Sequence, residues 1–174
     1  EGATLDIGTS TVDLAELNIN GTVLASVLSD RSYGSLNGAI VAGENGKVQL
    51  NVGSEGSYKI FDSQANITVT AGATYDVSQE ADGTVVIATK AVEDIAADTG
   101  LTTQAAGAIA GLANSDSSKM QQVSLALQEV LNSGDVAAVE SETAKLNPTD
   151  KPVVQAATAS VQNQVLSLAA GRMA

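Results

Sequence analysis

The sequence changes character near Lys90, and this change constrains the fold more than any other feature. Before Lys90, short runs rich in β-branched residues follow glycines, as in residues 83–89, and such runs are typical of strands. After Lys90, apolar residues recur at helical spacing, as in Met120, Val123 and Leu127. The sequence therefore predicts strands up to residue 90 and helices from residue 91.

Short strands separated by turn dipeptides fill residues 1–90. Val48, Leu50 and Val52 alternate with polar residues, so one face of that strand is apolar. No helical periodicity separates the strands, and the end of a β-helix or β-solenoid, a sandwich and a barrel all remain open. Turns, and hairpins near a cap, are expected at Asn20-Gly21, Asn37-Gly38, Asn45-Gly46 and Asp82-Gly83.

The remaining residues carry apolar stripes interrupted by helix breakers. Gly100, Gly134 and Pro148 are expected to end helices, and Thr89 is a candidate N-cap for the first one. The predicted helices span about 91-98, 101-113, 117-132, 135-146 and 152-171. We expect them to pack as a helical hairpin or bundle. The predicted fold class is α+β, segregated, with a β-rich domain at 1-90 and an α-helical region at 91-174.

The residue types that most enzymes use are missing. The chain contains no His and no Cys, which removes the usual general base, the thiol nucleophile and the thiolate zinc site. The formal net charge of -12 repels nucleic acid and anionic membranes. The protein is therefore predicted not to be an enzyme, with no catalytic, cofactor-binding or metal residues, no cofactor and no nucleic-acid partner.

Carboxylates are the remaining material for a site, because they can hold calcium. Two groups lie close together in the sequence, and neither follows the EF-hand pattern or the nonapeptide calcium repeat. Solvent-exposed charge is the preferred interpretation of both. The groups are Asp76, Glu80 and Asp82, and Glu93, Asp94 and Asp98.

The chain contains no apolar run of the roughly 20 residues that a membrane-spanning helix needs. It begins in mid-strand pattern at Glu1, with no Met and no signal peptide, and it stops inside a helical pattern. We expect a fragment of a longer chain that does not itself span a membrane.

Six short segments, spread over nearly the whole chain, occur in a recognisable order. They are Gly2-Ala3-Thr4-Leu5-Asp6-Ile7-Gly8, Leu17-Asn18-Ile19-Asn20-Gly21-Thr22-Val23, Tyr33-Gly34-Ser35-Leu36-Asn37-Gly38, Thr74-Tyr75-Asp76-Val77, Asp82-Gly83-Thr84-Val85-Val86 and Ala144-Lys145-Leu146-Asn147-Pro148. The first two resemble the last passenger rungs of autotransporters, the type V secreted proteins of Gram-negative outer membranes. The next three are similar to the autochaperone region, and the last resembles the helical connector before the translocator barrel.

The resemblance implies a role and a location. A segment of this kind caps and templates the folding of the passenger domain during outer-membrane secretion. Its partners would be its own translocator barrel and the upstream passenger, and it would lie at the cell surface, tethered to the outer membrane. The final helix lacks the adjacent asparagines at which some members cleave themselves, so self-cleavage is not implied. The alternative is an adhesin-type binding module that contacts a host glycan or protein.

Overall fold

The computed structural model describes residues 2–146, which contain nine strands and four helices. The chain divides into two compact units, which we call the strand unit (ending at Thr89) and the helical unit (beginning at Lys90). The strands are β1 (Thr4–Gly8), β2 (Thr11–Ile19), β3 (Thr22–Val27), β4 (Ser35–Ala42), β5 (Lys47–Val52), β6 (Gly56–Tyr58), β7 (Thr68–Thr70), β8 (Tyr75–Gln79) and β9 (Val85–Thr89). The helices are α1 (Val92–Thr99), α2 (Thr103–Ala113), α3 (Ser118–Asn132) and α4 (Val136–Ala144).

Parallel pairing organises most of the strand unit. One sheet has the order β1-β3-β5-β7 and another the order β2-β4, and every neighbouring pair in both sheets is parallel. From β1 to β5 the chain therefore visits the two sheets alternately, and β7 then adds a fourth strand to the first sheet. We call this arrangement the parallel stack.

The register of the parallel stack places apolar side chains in columns. Leu5 pairs with Val23, and Val23 pairs with Val48. On the other sheet, Val12 pairs with Leu36, which in turn bridges to Phe61. Val23, Val48, Leu36 and Phe61 are all buried, so these columns form the core of the strand unit.

Glycines allow successive layers of the parallel stack to approach closely. A Cβ at Gly21 would lie 2.1 Å from the carbonyl oxygen of Ala3, and one at Gly46 would lie 2.2 Å from that of Ile19. Gly38 has a φ of +115°, and a Cβ there would lie 1.8 Å from the carbonyl oxygen of Leu14. Gly38 sits where the register of β2 and β4 shifts between Asp13 and Glu16. Only glycine fits such positions without moving the backbone.

The last strands of this unit turn antiparallel. β9 pairs with both β6 and β8, and all pairs in this sheet are antiparallel. The turn between β8 and β9 is closed by hydrogen bonds between Glu80 and Thr84, at 2.8 Å, and between Gly83 and Glu80, at 3.0 Å. The backbone N–H of Phe61 donates to the carbonyl of Gly83 at 3.1 Å. The β8–β9 hairpin therefore covers the Val12–Leu36–Phe61 column at its Phe61 end.

In the helical unit, α2 is the central element. It contacts α1, α3 and α4, and α3 also contacts α4. Ile95, Ile109, Leu127 and Val139 are buried between these helices. Asp135 caps α4 by accepting a hydrogen bond from the backbone N–H of Ala138 at 3.1 Å.

The fold class predicted from the sequence is wrong as stated. The described residues are 36% strand and 30% helix, and the strands form several sheets and not one β module. A sandwich does not give the parallel pairs of β1-β3-β5-β7, and a uniform β-helix does not contain the antiparallel sheet β6-β9-β8. A helical hairpin would pair neighbours only, whereas α2 contacts three helices. The differences arise because glycines allow successive layers of the parallel stack to pack closely, whereas the turn at 80–84 reverses the chain and makes β8 and β9 antiparallel.

The observed helix starts and the boundary between the two units lie within two residues of the predicted ones. The four helices begin one or two residues after the predicted starts at 91, 101, 117 and 135. The boundary between the two units falls one residue before the predicted domain boundary. The helix predicted at 152-171 lies outside the described residues.

Candidate functional site

The strands β1 and β2 form one end of the parallel stack. β1 is the outermost strand of the order β1-β3-β5-β7, and β2 is outermost in β2-β4. Among the strands of residues 2–146, none pairs with the other side of β1 or β2. Backbone N–H and C=O groups along that side can accept a further strand. We call the unpaired sides of β1 and β2 the open edge.

Leu5 shows that the open edge is also the end of an apolar column. Its partners in the column, Val23 and Val48, are 5% and 0% exposed, whereas Leu5 is 56% exposed. All three side chains are aliphatic, and they differ in their position within the stack. Leu5 is therefore exposed because no strand lies over it among the described residues.

Three exposed positions of the open edge are acidic. Asp6, Asp13 and Glu16 are exposed, and each alternates along its strand with an inward residue, such as Leu5 beside Asp6. Their register partners in the next layer are Leu24, Asn37 and Ala39, which are uncharged. The charge thus belongs to the edge strands and not to the columns as a whole.

An aromatic and cationic cluster holds the loop after β3 near β6. Arg31 has a left-handed φ of 68°, and its guanidinium lies 5.9 Å from the centre of the Tyr58 ring. Tyr33 meets the same ring edge-on, with 5.4 Å between ring centres. The hydroxyl of Ser32 and, next in importance, its backbone N–H hydrogen-bond to the carboxylate of Asp30 and lower the pKa of Asp30.

Charged side chains also secure the antiparallel sheet. The carboxylate of Glu55 accepts from the backbone N–H and the hydroxyl of Thr89, at 3.0 and 2.9 Å. Asp82 accepts from the backbone N–H of Thr84 at 2.9 Å and lies 3.3 Å from the ammonium group of Lys59. The Thr84 hydrogen bond is the main reason that the pKa of Asp82 is lowered. These contacts stabilise the end of the strand unit opposite the open edge.

The two acidic groups considered in the sequence occupy separate surface positions. Asp76 lies on β8, Asp82 lies in the turn after it, and Glu93 and Asp94 lie in the first turn of α1. Asp98 pairs with Lys90 at 2.7 Å. Within residues 2–146, no cluster of three or more His, Cys, Asp or Glu side chains is arranged to hold a metal ion.

A cleft of about 380 Å³ runs along the turns that precede β3 and β5. Gly21, Gly46 and Thr22 line it together with Glu44 and Lys47. The lining contains opposite charges and several glycines. The open edge remains the feature with the most specific geometry.

The sequence analysis named no site residues. Leu5, Asp6, Asp13 and Glu16 stand at the open edge because of the parallel register, which links residues about one layer apart. One signal was available in the sequence: residues 1–30 contain five acidic residues and no Lys or Arg.

No helix within residues 2–146 combines the length and the hydropathy needed to cross a membrane, in agreement with the sequence-based expectation. Comparison with known proteins finds no matching family model, no similar curated protein and no similar solved structure.

Proposed function

We propose that the chain is a non-catalytic structural segment of a bacterial surface-exported autotransporter, and that it caps and templates folding of the passenger domain during outer-membrane secretion. The observation that carries this proposal is the difference between the two ends of the parallel stack. The open edge offers two unpaired strands at one end, whereas at the other end the β8–β9 hairpin covers the Phe61 end of the Val12–Leu36–Phe61 column. That column can therefore receive a further layer at its β2 end.

A template acts by providing hydrogen-bonding groups in a fixed register. A strand that pairs with β1 in parallel gains a ladder of backbone hydrogen bonds and covers Leu5. Burial of the exposed part of Leu5 contributes about 1 kcal/mol. The ordered edge spares the incoming segment the cost of forming a first layer alone, because a stacked repeat is stabilised by its neighbour.

Composition supports export and surface location. A chain without Cys forms no disulfide in the oxidising periplasm before it crosses the outer membrane. A net charge of -12 keeps the chain dispersed when it is unfolded. The proposed partners are the upstream passenger, which supplies the strand for the open edge, and the translocator barrel of the same protein.

The proposal is tested by Leu5→Asp in the full-length protein, with surface display measured by labelling the passenger on intact cells. A charge in the Leu5 column should block a covering strand, so display of folded, protease-resistant passenger should fall several-fold. Leu28→Asp is the matched control, because Leu28 is 38% exposed but lies outside the open edge. Leu5→Asp should leave the purified chain close to wild-type stability, since Leu5 is already 56% exposed.

Unchanged display in Leu5→Asp, and in a deletion of residues 2–89, would overturn the proposal. Binding of the purified chain to a host glycan or host protein, together with unchanged display, would favour the adhesin alternative.

A further inference from the structure

The acidic residues of the open edge form a pattern that templating alone does not require. Each of Asp6, Asp13 and Glu16 is the edge member of an outward-facing column. Below Asp6 the column continues with Leu24, Gln49 and Thr70, and the partners of Asp13 and Glu16 are Asn37 and Ala39. The charge is present only in the first layer of these columns within the described part of the chain.

From this pattern we infer that Asp6, Asp13 and Glu16 select the occupant of the open edge. The selected occupant is an extended polypeptide segment that pairs in parallel with β1 and β2 and is uncharged or basic where it faces these acids. The inference rests on the proposed function, because it specifies which segment the template accepts. It assigns the three acids a role in specificity and not in the stability of the strand unit.

The physical basis is the short distance between neighbouring strands. Side chains directly opposite each other on paired strands are about 5 Å apart, where like charges destabilise and opposite charges stabilise the pair. An incoming lysine would meet a carboxylate at three positions, and an incoming glutamate would meet like charge at the same positions. No Lys or Arg occurs in residues 1–30 to offset the acids.

The same charges disfavour a second copy of this chain as the occupant. Two open edges facing each other would bring six carboxylates into one interface, because each edge supplies Asp6, Asp13 and Glu16. Charged residues on edge strands commonly prevent this kind of association in native proteins. The edge therefore accepts a strand of complementary charge and rejects its own copy.

The test uses the full chain and synthetic peptides that copy one layer, residues 21–42. A peptide that repeats on the open side the register that β3 and β4 keep with β1 and β2 would place its copies of Leu24, Asn37 and Ala39 over Asp6, Asp13 and Glu16. One peptide carries L24K, N37K and A39K, and a second carries L24E, N37E and A39E. A third carries S26K, S32K and V41K, which matches the first in charge but moves the lysines away from the acids.

We expect the first peptide to bind at least about tenfold more tightly than the second and several-fold more tightly than the third. The difference should shrink in 1 M salt, where the screening length falls to about 3 Å. Equal binding by all three peptides would overturn the inference and leave the template itself standing. Failure of all three peptides and of the unsubstituted copy to bind would overturn the template together with the inference.

A second arm measures self-association of the full chain by sedimentation velocity. The edge variant D6N/D13N/E16Q should associate at least about tenfold more strongly than wild type. The control D76N/E93Q/D94N changes the net charge equally, at residues of β8 and α1 and not of β1 or β2. Equal association of the edge and control variants would show that net charge, not edge charge, governs self-pairing, and would overturn the inference.

Discussion

Glycine has opposite structural consequences in the two units of this protein. In the strand unit, a Cβ at Gly21, Gly38 or Gly46 would come within 2.2 Å of a carbonyl oxygen. In the helical unit, a Cβ at Gly107 would make an ordinary 3.7 Å contact with Val92, and one at Gly111 would meet nothing within 4 Å. The same residue is thus indispensable where parallel layers stack and replaceable where helices pack.

The aromatic residues all lie in the strand unit, so the unfolding of that unit can be measured separately. Tyr33, Tyr58, Tyr75 and Phe61 all precede Lys90, and the chain has no Trp. Tyrosine fluorescence therefore reports unfolding of the strand unit. Circular dichroism at a helix-sensitive wavelength reports mainly the helical unit, so each substitution can be assigned to one unit.

The largest effect is expected for Phe61→Ala. Phe61 is 0% exposed and lies between Leu36 and the β8–β9 hairpin. Truncation should remove about 3–5 kcal/mol from the free energy of unfolding of the strand unit, through lost burial and the cavity left behind. In urea unfolding, the fluorescence midpoint should fall much further than the helical midpoint. An equal shift in both signals would mean that the two units unfold as one.

The next effect is expected for Gly38→Ala. A left-handed φ of +115° and a carbonyl oxygen 1.8 Å from the new Cβ force the bulge between β2 and β4 to move. The expected loss is at least about 2 kcal/mol, since strained backbone alone costs about 1–3 kcal/mol per residue. A fluorescence midpoint within error of wild type would show that the bulge can shift without cost.

The converse substitution, Gly111→Ala, should increase stability. Gly111 lies inside α2 with open space around it, and alanine is favoured over glycine in a helix by up to about 1 kcal/mol. The helical midpoint should rise while the fluorescence midpoint stays in place. A decrease would mean that Gly111 makes a close contact.

The comparison also shows what the sequence could and could not predict. Element types followed from periodicity, because strand and helix repeats depend on neighbouring residues alone. The role of Asn20-Gly21 and Asn45-Gly46 did not. Such turn dipeptides favour a glycine with positive φ, as at Gly38, yet Gly21 and Gly46 are outside the left-handed region and are needed for close approach to a neighbouring layer. That approach depends on register, which local sequence does not encode.

Neither the N-cap of α1 nor the open edge could be predicted from local sequence, because both depend on long-range pairing. Thr89 was a candidate N-cap for α1, but its hydroxyl and its backbone N–H donate to Glu55, which is 34 residues away. The residue at the N-cap position is Ala91, which has no side-chain hydrogen bond to offer. Asp6 and Glu16 likewise look like ordinary strand-surface charges until the pairing of β1 and β2 places them at an edge. Long-range pairing decided each of these cases.

The smallest expected effect is on the pH dependence of stability, and it again distinguishes the two units. Hydrogen bonds lower the pKa of Asp30 and Asp82, both of which belong to the strand unit. A carboxyl group whose pKa is lower in the folded state stabilises the fold above its unfolded value of 3.8, and this contribution is lost as pH falls through the folded-state pKa. Asp82→Asn should therefore lower the fluorescence midpoint slightly at neutral pH.

The Asp82→Asn difference from wild type should then disappear as the pH falls below 3.8. The matched control is Asp76→Asn, an exposed aspartate on the neighbouring strand β8 that changes the net charge by the same amount. If both variants shift the midpoint equally, overall charge is responsible. If only Asp82→Asn does so, and only above this pH range, the Thr84 hydrogen bond fixes the turn that closes the stack. The covered end would then depend on local hydrogen bonds, while the open edge depends on the strand it receives.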